Sequence, residues 1–387
     1  MSRKPPEPSA RSAIEPFIVM DVMRAAADRE HQGARVVHME VGQPGAPTPQ
    51  AVIAAAHAAL ADGRIAYTEA LGNRTLRNRI AAHYREAHGL DVPMERIAVT
   101  TGSSAGFALA FLAAFDPGQR IVVTAPGYPA YRNLAVAFGL ETVEVPVGPE
   151  TRYALTPELL EKAHREKPVA AVLVASPANP SGTLMSPDSL RALVEAAEQM
   201  GIVFISDEIY HRLVYAGTEA TALQFSRDAI VVNSFSKYYC MTGWRIGWMV
   251  LPEPLLRPVE RISQNLYISA PDISQRAAIA AFDATADLDR IKAGYAANRT
   301  LLLDRLPKIG FEELLPVDGA FYVYASVRRF ANDSRAFAAR MLAEAGVAAT
   351  PGADFDRARG HNFMRFSFSG TEADMAEAMD RLAHWLK

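Results

Sequence analysis

The sequence predicts an α/β protein: a large domain with a mostly parallel sheet covered by helices on both faces, plus a smaller α+β domain drawn from both chain ends. Three observations carry this. From about residue 97 to residue 233, short continuous apolar runs alternate with amphipathic stretches, the pattern of strands buried on both faces. A glycine- and proline-rich turn, Gly42 to Pro49, separates that alternation from what precedes it. The last hundred residues change character, with strands and helices that fit a smaller layer. The length of 387 residues suits two or three domains.

In chain order, residues 1–12 read as a disordered arm rich in proline and charge. Apolar residues at helical spacing (Phe17, Met20, Met23, Ala26) predict a helix from Ile14 to Gln32, stopped by Gly33. Val36 to Val41 reads as a strand, and helices follow at Pro49–Ala61 and Arg74–Ala87. Strands are expected at 97–100, 120–124, 142–146, 170–175, 202–206 and 229–233, with helices between them. Beyond these come a long helix at 287–306, strands at 319–324, 347–350 and 363–368, and helices at 334–345 and at the end. The domain reading is 13–48 with 287–387 as the small domain and 49–286 as the large one.

Composition narrows the function. A net charge of −3 gives no basic excess, so nucleic acid and anionic membranes are not indicated as partners. The single cysteine, Cys240, excludes an intrachain disulfide framework and suits a reducing compartment. The nine histidines form no His-x-x-x-His cluster, so no metal is expected. The N-terminus lacks the apolar segment of a signal peptide, and no run approaches the ~20 apolar residues that span a bilayer. A cytoplasmic location is expected.

The chemistry lies at strand ends. Ligands of open α/β sheets sit beyond the carboxyl ends of the strands, and four such ends carry unusual polar residues. Ser103 and Ser104 open a helix, where backbone N–H groups and hydroxyls suit a phosphate; an ordinary N-cap is the alternative. Asn179 follows an apolar strand, in a turn that Asn-Pro and Ser-Gly would mark anyway. Asp207 also ends an apolar run, where a carboxylate needs a partner such as a protonated ring nitrogen; Tyr210 lies three residues on. The fourth end is Ser234-Phe-Ser-Lys-Tyr-Tyr-Cys-Met-Thr-Gly-Trp-Arg-Ile-Gly247. Lys237 is placed there to form an imine with a carbonyl, and Ser234, Ser236 and Arg245 are placed to hold a phosphate. The other six lysines sit in polar stretches, loops or termini. A carbonyl and a phosphate on one molecule suggest pyridoxal phosphate.

With these residues the chain resembles the class I/II aminotransferases, pyridoxal-phosphate enzymes of fold type I. Ser-x-Ser-Lys-x-x-x-Met-x-Gly-x-Arg-x-Gly is that family's lysine motif, and Cys240 stands where the family usually has glycine, alanine or serine. Asn179-Pro180, Asp207 with Tyr210, and Gly319-Ala-Phe-Tyr322 extend the likeness over the chain after the arm. The resemblance implies that Lys237 binds the cofactor covalently and shuttles a proton, and that Asp207 pairs with the ring nitrogen. Asn179 and Tyr210 would bond the ring oxygen. Ser103, Ser104, Ser234, Ser236 and Arg245 would cradle the phosphate, and Tyr128 would stack on the ring. Tyr67 would reach the phosphate of a neighbouring subunit, which implies a homodimer with shared sites. Arg365, an arginine in an apolar strand, would grip the substrate α-carboxylate beside Asn179 and Gly42. Gln43 replaces an acidic residue common in the turn after Gly42.

The implied reaction is transamination between an amino acid and a 2-oxo acid such as 2-oxoglutarate or pyruvate. Neutral or aromatic donors are favoured over aspartate and glutamate, because Pro16 to Met20 is apolar and the helix after Ser104 holds no cation. The same cofactor residues also serve carbon–sulfur β-lyases and ring-forming synthases. A non-catalytic regulatory protein of this fold would need an attached DNA-binding module.

Overall fold

The computed structural model describes residues 7–387. Helix α1 (Ile18–His31) comes first, then strand β1 (Val37–His38) and helices α2 (Gln50–Asp62) and α3 (Arg74–His88). The alternating region gives β2 (Ile97–Thr100), α4 (Ser103–Ala114), β3 (Arg120–Ala125), α5 (Pro129–Ala137), β4 (Glu141–Pro146) and α6 (Pro157–Glu166). It continues with β5 (Ala171–Ala175), α7 (Pro187–Gln199), β6 (Val203–Asp207), β7 (Ile230–Ser234) and β8 (Gly247–Val250). Helices α8 (Glu253–Tyr267), α9 (Asp272–Ala281) and α10 (Thr285–Ile309) follow. The chain closes with β9 (Tyr322–Ser326), α11 (Ser334–Arg340), β10 (Val347–Ala348), β11 (Thr350–Pro351), β12 (Phe363–Ser367) and α12 (Glu372–Trp385).

Seven strands form the main sheet, in the order β2-β8-β7-β6-β5-β3-β4. The five strands from β3 to β7 run parallel, and only β8 is antiparallel to its neighbours. Strands β2, β7 and β8 are buried at every position, as a sheet covered on both faces requires. The register aligns the polar strand ends. Ala175 pairs with Asp207, Asp207 with Val232, and Gly247 lies between Ser234 and Thr100.

The two ends of the chain meet beside this sheet. Val37 pairs with Val347 in a short parallel ladder. A second sheet, in the order β11-β12-β9, is antiparallel and puts Arg365 on its middle strand, between Thr350 and Tyr324.

Several expectations need correction. Of the disordered arm expected over 1–12, residues 1–6 lie outside the described residues, and Ala10–Ser12 forms one exposed 3₁₀ turn. The first helix begins at Ile18 rather than Ile14, because the Asp354 carboxylate accepts from the Ile18 and Val19 N–H groups and fixes the start there. The first strand has two residues, not six. Past His38 the Glu40 carbonyl leaves the ladder to accept from Thr350 Oγ1 and Arg365. Strand β9 begins at Tyr322 rather than Gly319, because Ala320 has φ +58° and Gly319 donates to Gly182. The helix expected over 334–345 ends as α11 at Arg340 and continues as a π-turn, Met341–Ala345. Strand β8 and helices α8 and α9 had no counterpart in the sequence reading.

Candidate active site

Beyond the aligned strand ends lies a cavity of about 200 Å³, which all but two of the site residues named from sequence line. A cleft of about 450 Å³ between Arg152 and Leu315 is larger, but no lysine lines it.

Lys237 follows β7 by three residues, part-buried, and its Nζ donates to the Gly42 carbonyl at 2.5 Å. Burial lowers its pKa to about 8, and the nearby Arg365 and Arg245 charges push the same way. Asp207, the last residue of β6, is 3% exposed. Its Oδ2 accepts a short hydrogen bond from Tyr131 and its Oδ1 accepts from the Ile209 N–H at 3.0 Å. Burial raises its pKa to about 6, while those two donors favour the carboxylate.

Tyr210 and Tyr322 hydroxyls meet at 2.7 Å on one wall. A Cβ at Gly42 would lie 2.1 Å from the Tyr322 hydroxyl oxygen, so only glycine lets this turn approach so closely. Tyr128, which also lines the cavity, packs edge-on against Tyr131 at 5.4 Å and stacks with Phe17 at 6.0 Å. Burial raises the Tyr128 pKa to about 12, so it stays a neutral ring face.

The opening of α4 forms the third side. Gly102 precedes the helix at φ +88°, and Ser103 and Ser104 supply its first turn. A Cβ on Gly102 would meet Arg245 Nη2 at 2.6 Å, so the guanidinium lies directly over this helix N-terminus. A helix N-terminus, hydroxyls and an arginine together suit a phosphate. Ser236 belongs to this cradle, but Ser234 does not face the cavity. Its hydroxyl donates to the Ile246 carbonyl at 3.1 Å, accepts from the Ser236 N–H at 3.1 Å and lies 2.9 Å from Ser236 Oγ, so it positions Ser236 from behind. Tyr67 also lies outside, 79% exposed on the surface.

Arg365 is 4% exposed, and its guanidinium is held on several sides. Nη2 donates to the Glu40 carbonyl at 2.5 Å and to Thr350 Oγ1, and Nη1 donates to Asn179 Oδ1 at 3.1 Å. The rings of Tyr322 and Phe355 flank it at 4.4 and 4.8 Å. Nε has no hydrogen-bond partner among the described residues. A buried guanidinium with no carboxylate partner is suited to receive one from a ligand.

The residues fit pyridoxal phosphate on two counts: a phosphate cradle, and a buried carboxylate whose hydrogen-bond partners among the described residues, Tyr131 and the Ile209 N–H, are neutral donors. The sequence reading missed two contributors. Tyr131 orients Asp207, and its only signal was its place three residues after Tyr128, one helical turn on. Tyr322 appeared within a quoted motif, without a role. Val19, Met20 and Met23 of α1 close the cavity with apolar surface.

Comparison with known proteins agrees with this geometry. A family model described as aminotransferase class I and II matches residues 34–382. The valine–pyruvate aminotransferase of Mycobacterium tuberculosis is 50% identical over 380 residues, 97% of each chain. A crystal structure of an aminotransferase from the same organism has a TM-score of 0.96 at 48% identity, covering 99% of both chains. An aspartate aminotransferase from Thermus thermophilus with maleate gives 0.93 at 31% identity, covering 98% of this chain and 99% of that one.

Proposed function

The chain belongs to the class I and II pyridoxal-phosphate-dependent aminotransferases, and from that premise we propose that it exchanges an amino group between a neutral amino acid and a 2-oxo acid. Pyruvate is the favoured acceptor, as the name of the 50%-identical relative suggests. The observation that carries the choice of donor is the lining of the cavity. Arg365 supplies a grip for one carboxylate, and α1 adds only Val19, Met20 and Met23. Arg245, the other arginine at the cavity, lies over the α4 N-terminus and is committed to phosphate. A distal carboxylate would therefore meet apolar side chains, while a branched aliphatic side chain would be desolvated favourably.

Bound pyridoxal phosphate supplies a carbonyl and an electron-accepting ring that stabilises negative charge at the substrate α-carbon. Lys237 would hold the cofactor through its amine and, with that amine free, would be placed to move the proton at the substrate α-carbon. Asp207 keeps the ring nitrogen protonated, and Tyr131 keeps Asp207 ionised and in place. Ser103, Ser104, Ser236 and Arg245 hold the phosphate, and Asn179 and Tyr210 bond the ring oxygen. Arg365, steadied by Asn179, orients the α-carboxylate beside Gly42. Helix α1 excludes water from the cavity.

The same reading gives a homodimer with shared sites and takes residues 13–48 with 287–387 as one domain and 49–286 as the other. Leu60, Ile65, Tyr67, Leu266 and Ile268 are exposed large apolar side chains. Leu60 and Leu266 lie in the last turns of α2 and α8, and the segments that follow, which carry the other three, are tied by the Thr68 N–H donating to Ser269 Oγ. Ile268 has φ +67°, a conformation a β-branched residue rarely adopts. Such a patch suits burial against a second copy, which would carry Tyr67 toward the neighbouring phosphate.

A panel of amino acids offered with pyruvate or 2-oxoglutarate tests the assignment. Valine with pyruvate is expected to yield alanine at the highest kcat/KM, with aspartate and glutamate at least tenfold lower as donors. A panel led by an acidic donor would overturn the substrate reading. Pyruvate and ammonia released from cysteine conjugates, with no amino transfer, would overturn the reaction.

A further inference from the structure

The segment just beyond Asp207 holds a second group of side chains that the reaction does not use. His211 is 6% exposed, and its Nε2 has no hydrogen-bond partner among the described residues. Its other ring nitrogen, Nδ1, lies 3.5 Å from Glu208 Oε2, a buried oxygen with no hydrogen bond of its own. Glu208 is fixed through its second oxygen. Oε1 accepts from Ser206 Oγ at 3.1 Å, Thr221 Oγ1 at 2.9 Å and the Ala222 N–H at 3.0 Å. A carboxylate set against one imidazole nitrogen, leaving the other without a partner, is the arrangement that orients a metal-binding histidine.

Two further potential donors lie close to His211. His88 ends α3, and Glu219 lies on the loop after His211. One donor atom from each of His88, His211 and Glu219 lies within 4.8 Å of the other two. We propose that these three side chains form a site for a divalent cation of the zinc class.

Two imidazoles and one carboxylate match the donors that zinc prefers, and a fourth position is left for water. Donors around tetrahedral zinc lie about 3.3 Å apart, given bonds near 2.0 Å. Small rotations of His88 and Glu219, both half-buried, would close the remaining gap. Glu219 Oε2 accepts from the Arg212 N–H at 2.7 Å, which holds the carboxylate near the site. The charges also balance, since Glu208 and Glu219 together offset a divalent ion. The guanidinium of Arg212, whose backbone N–H bonds Glu219, packs onto the Tyr238 ring at 4.2 Å. Sequence spacing gave no sign of this site, because His88 and His211 come from different elements and meet only in the fold. A bound ion would tie the end of α3 to the segment that carries Asp207 and Tyr210.

The test is zinc chloride added to the cofactor-loaded protein, which is then desalted and assayed for metal content, with Tm followed in parallel. One equivalent of zinc per chain and a raised Tm are expected. His88→Ala and Glu219→Gln are expected to keep the visible absorption of bound cofactor and the metal-free Tm, while weakening zinc about tenfold or more. Glu219→Gln keeps an acceptor for the Arg212 N–H, so it serves should His88→Ala fold poorly. Less than stoichiometric zinc on the native chain, or unchanged affinity in both variants, would overturn the proposal.

Discussion

As the proposed imine-forming lysine, Lys237 would react as a neutral amine, and its surroundings make that form accessible. Because its pKa is lowered to about 8, the protonated and unreactive form dominates below that pH. The rate of cofactor uptake by the cofactor-free protein is therefore expected to rise with pH through about 8, which stopped-flow absorbance would record. Lys237→Ala should lose the covalent attachment; a borohydride-stable adduct in that variant would reject the assignment. Asp207 works in the opposite sense. It is ionised above about 6, and Tyr131 favours that ionised form. Cofactor affinity should decline as pH falls through 6, and Tyr131→Phe should move that decline to higher pH. Arg365→Lys keeps the charge but loses the planar fork. A hydrogen bond to a charged group contributes about 1.5–3 kcal/mol, so kcat/KM should fall roughly 10–100-fold for amino and oxo acids alike, with cofactor content unchanged. At this scale the sequence was informative wherever a polar residue ended or closely followed an apolar strand: Asn179, Asp207 and Lys237 all line the cavity. It was silent on direction: whether Ser234 turns into the cavity or behind Ser236 depends on β8, a neighbouring strand that is distant in kind from any local pattern.

Helix α1 has its own anchor. Its first N–H groups end on the Asp354 carboxylate, and Phe17, just before it, stacks on Tyr128. Losing such a cap costs about 1 kcal/mol. Asp354→Ala is therefore expected to raise KM several-fold while leaving cofactor absorbance intact, because Asp354 touches the lid and not the phosphate cradle. Elements with a strong period or a buried apolar run, such as α3 and β5, matched their expected bounds to within about a residue. Others did not, for identifiable reasons. Strand β8 follows directly on the lysine motif and so read as part of a loop, although Gly247-Trp-Met-Val250 is apolar throughout. Strand β1 stops after two residues because a tertiary partner, Arg365, takes the Glu40 carbonyl, and no local rule anticipates a partner so distant in sequence.

For the whole molecule, the proposed dimer makes a direct prediction. Ile268→Asp puts a charge in the exposed apolar patch, where association would have to desolvate it. Sedimentation of the native chain should give twice its 42.0 kDa mass, and the variant should approach the single-chain value with weaker cofactor retention. Native chains that sediment at 42.0 kDa would rule the dimer out.

The joining of the two chain ends also sets an order of events. Glu40 and Thr350, which share a hydrogen bond beside the substrate grip, are 310 residues apart. At translation rates of about 5–20 residues per second, the Glu40 carbonyl emerges roughly 15–60 s before its partners exist. The proposed phosphate cradle, complete by Arg245, is synthesised well before the strand that carries Arg365. A ribosome stalled between those two points would hold a chain with every phosphate ligand and the reactive lysine already made, and with nothing yet to receive a substrate carboxylate.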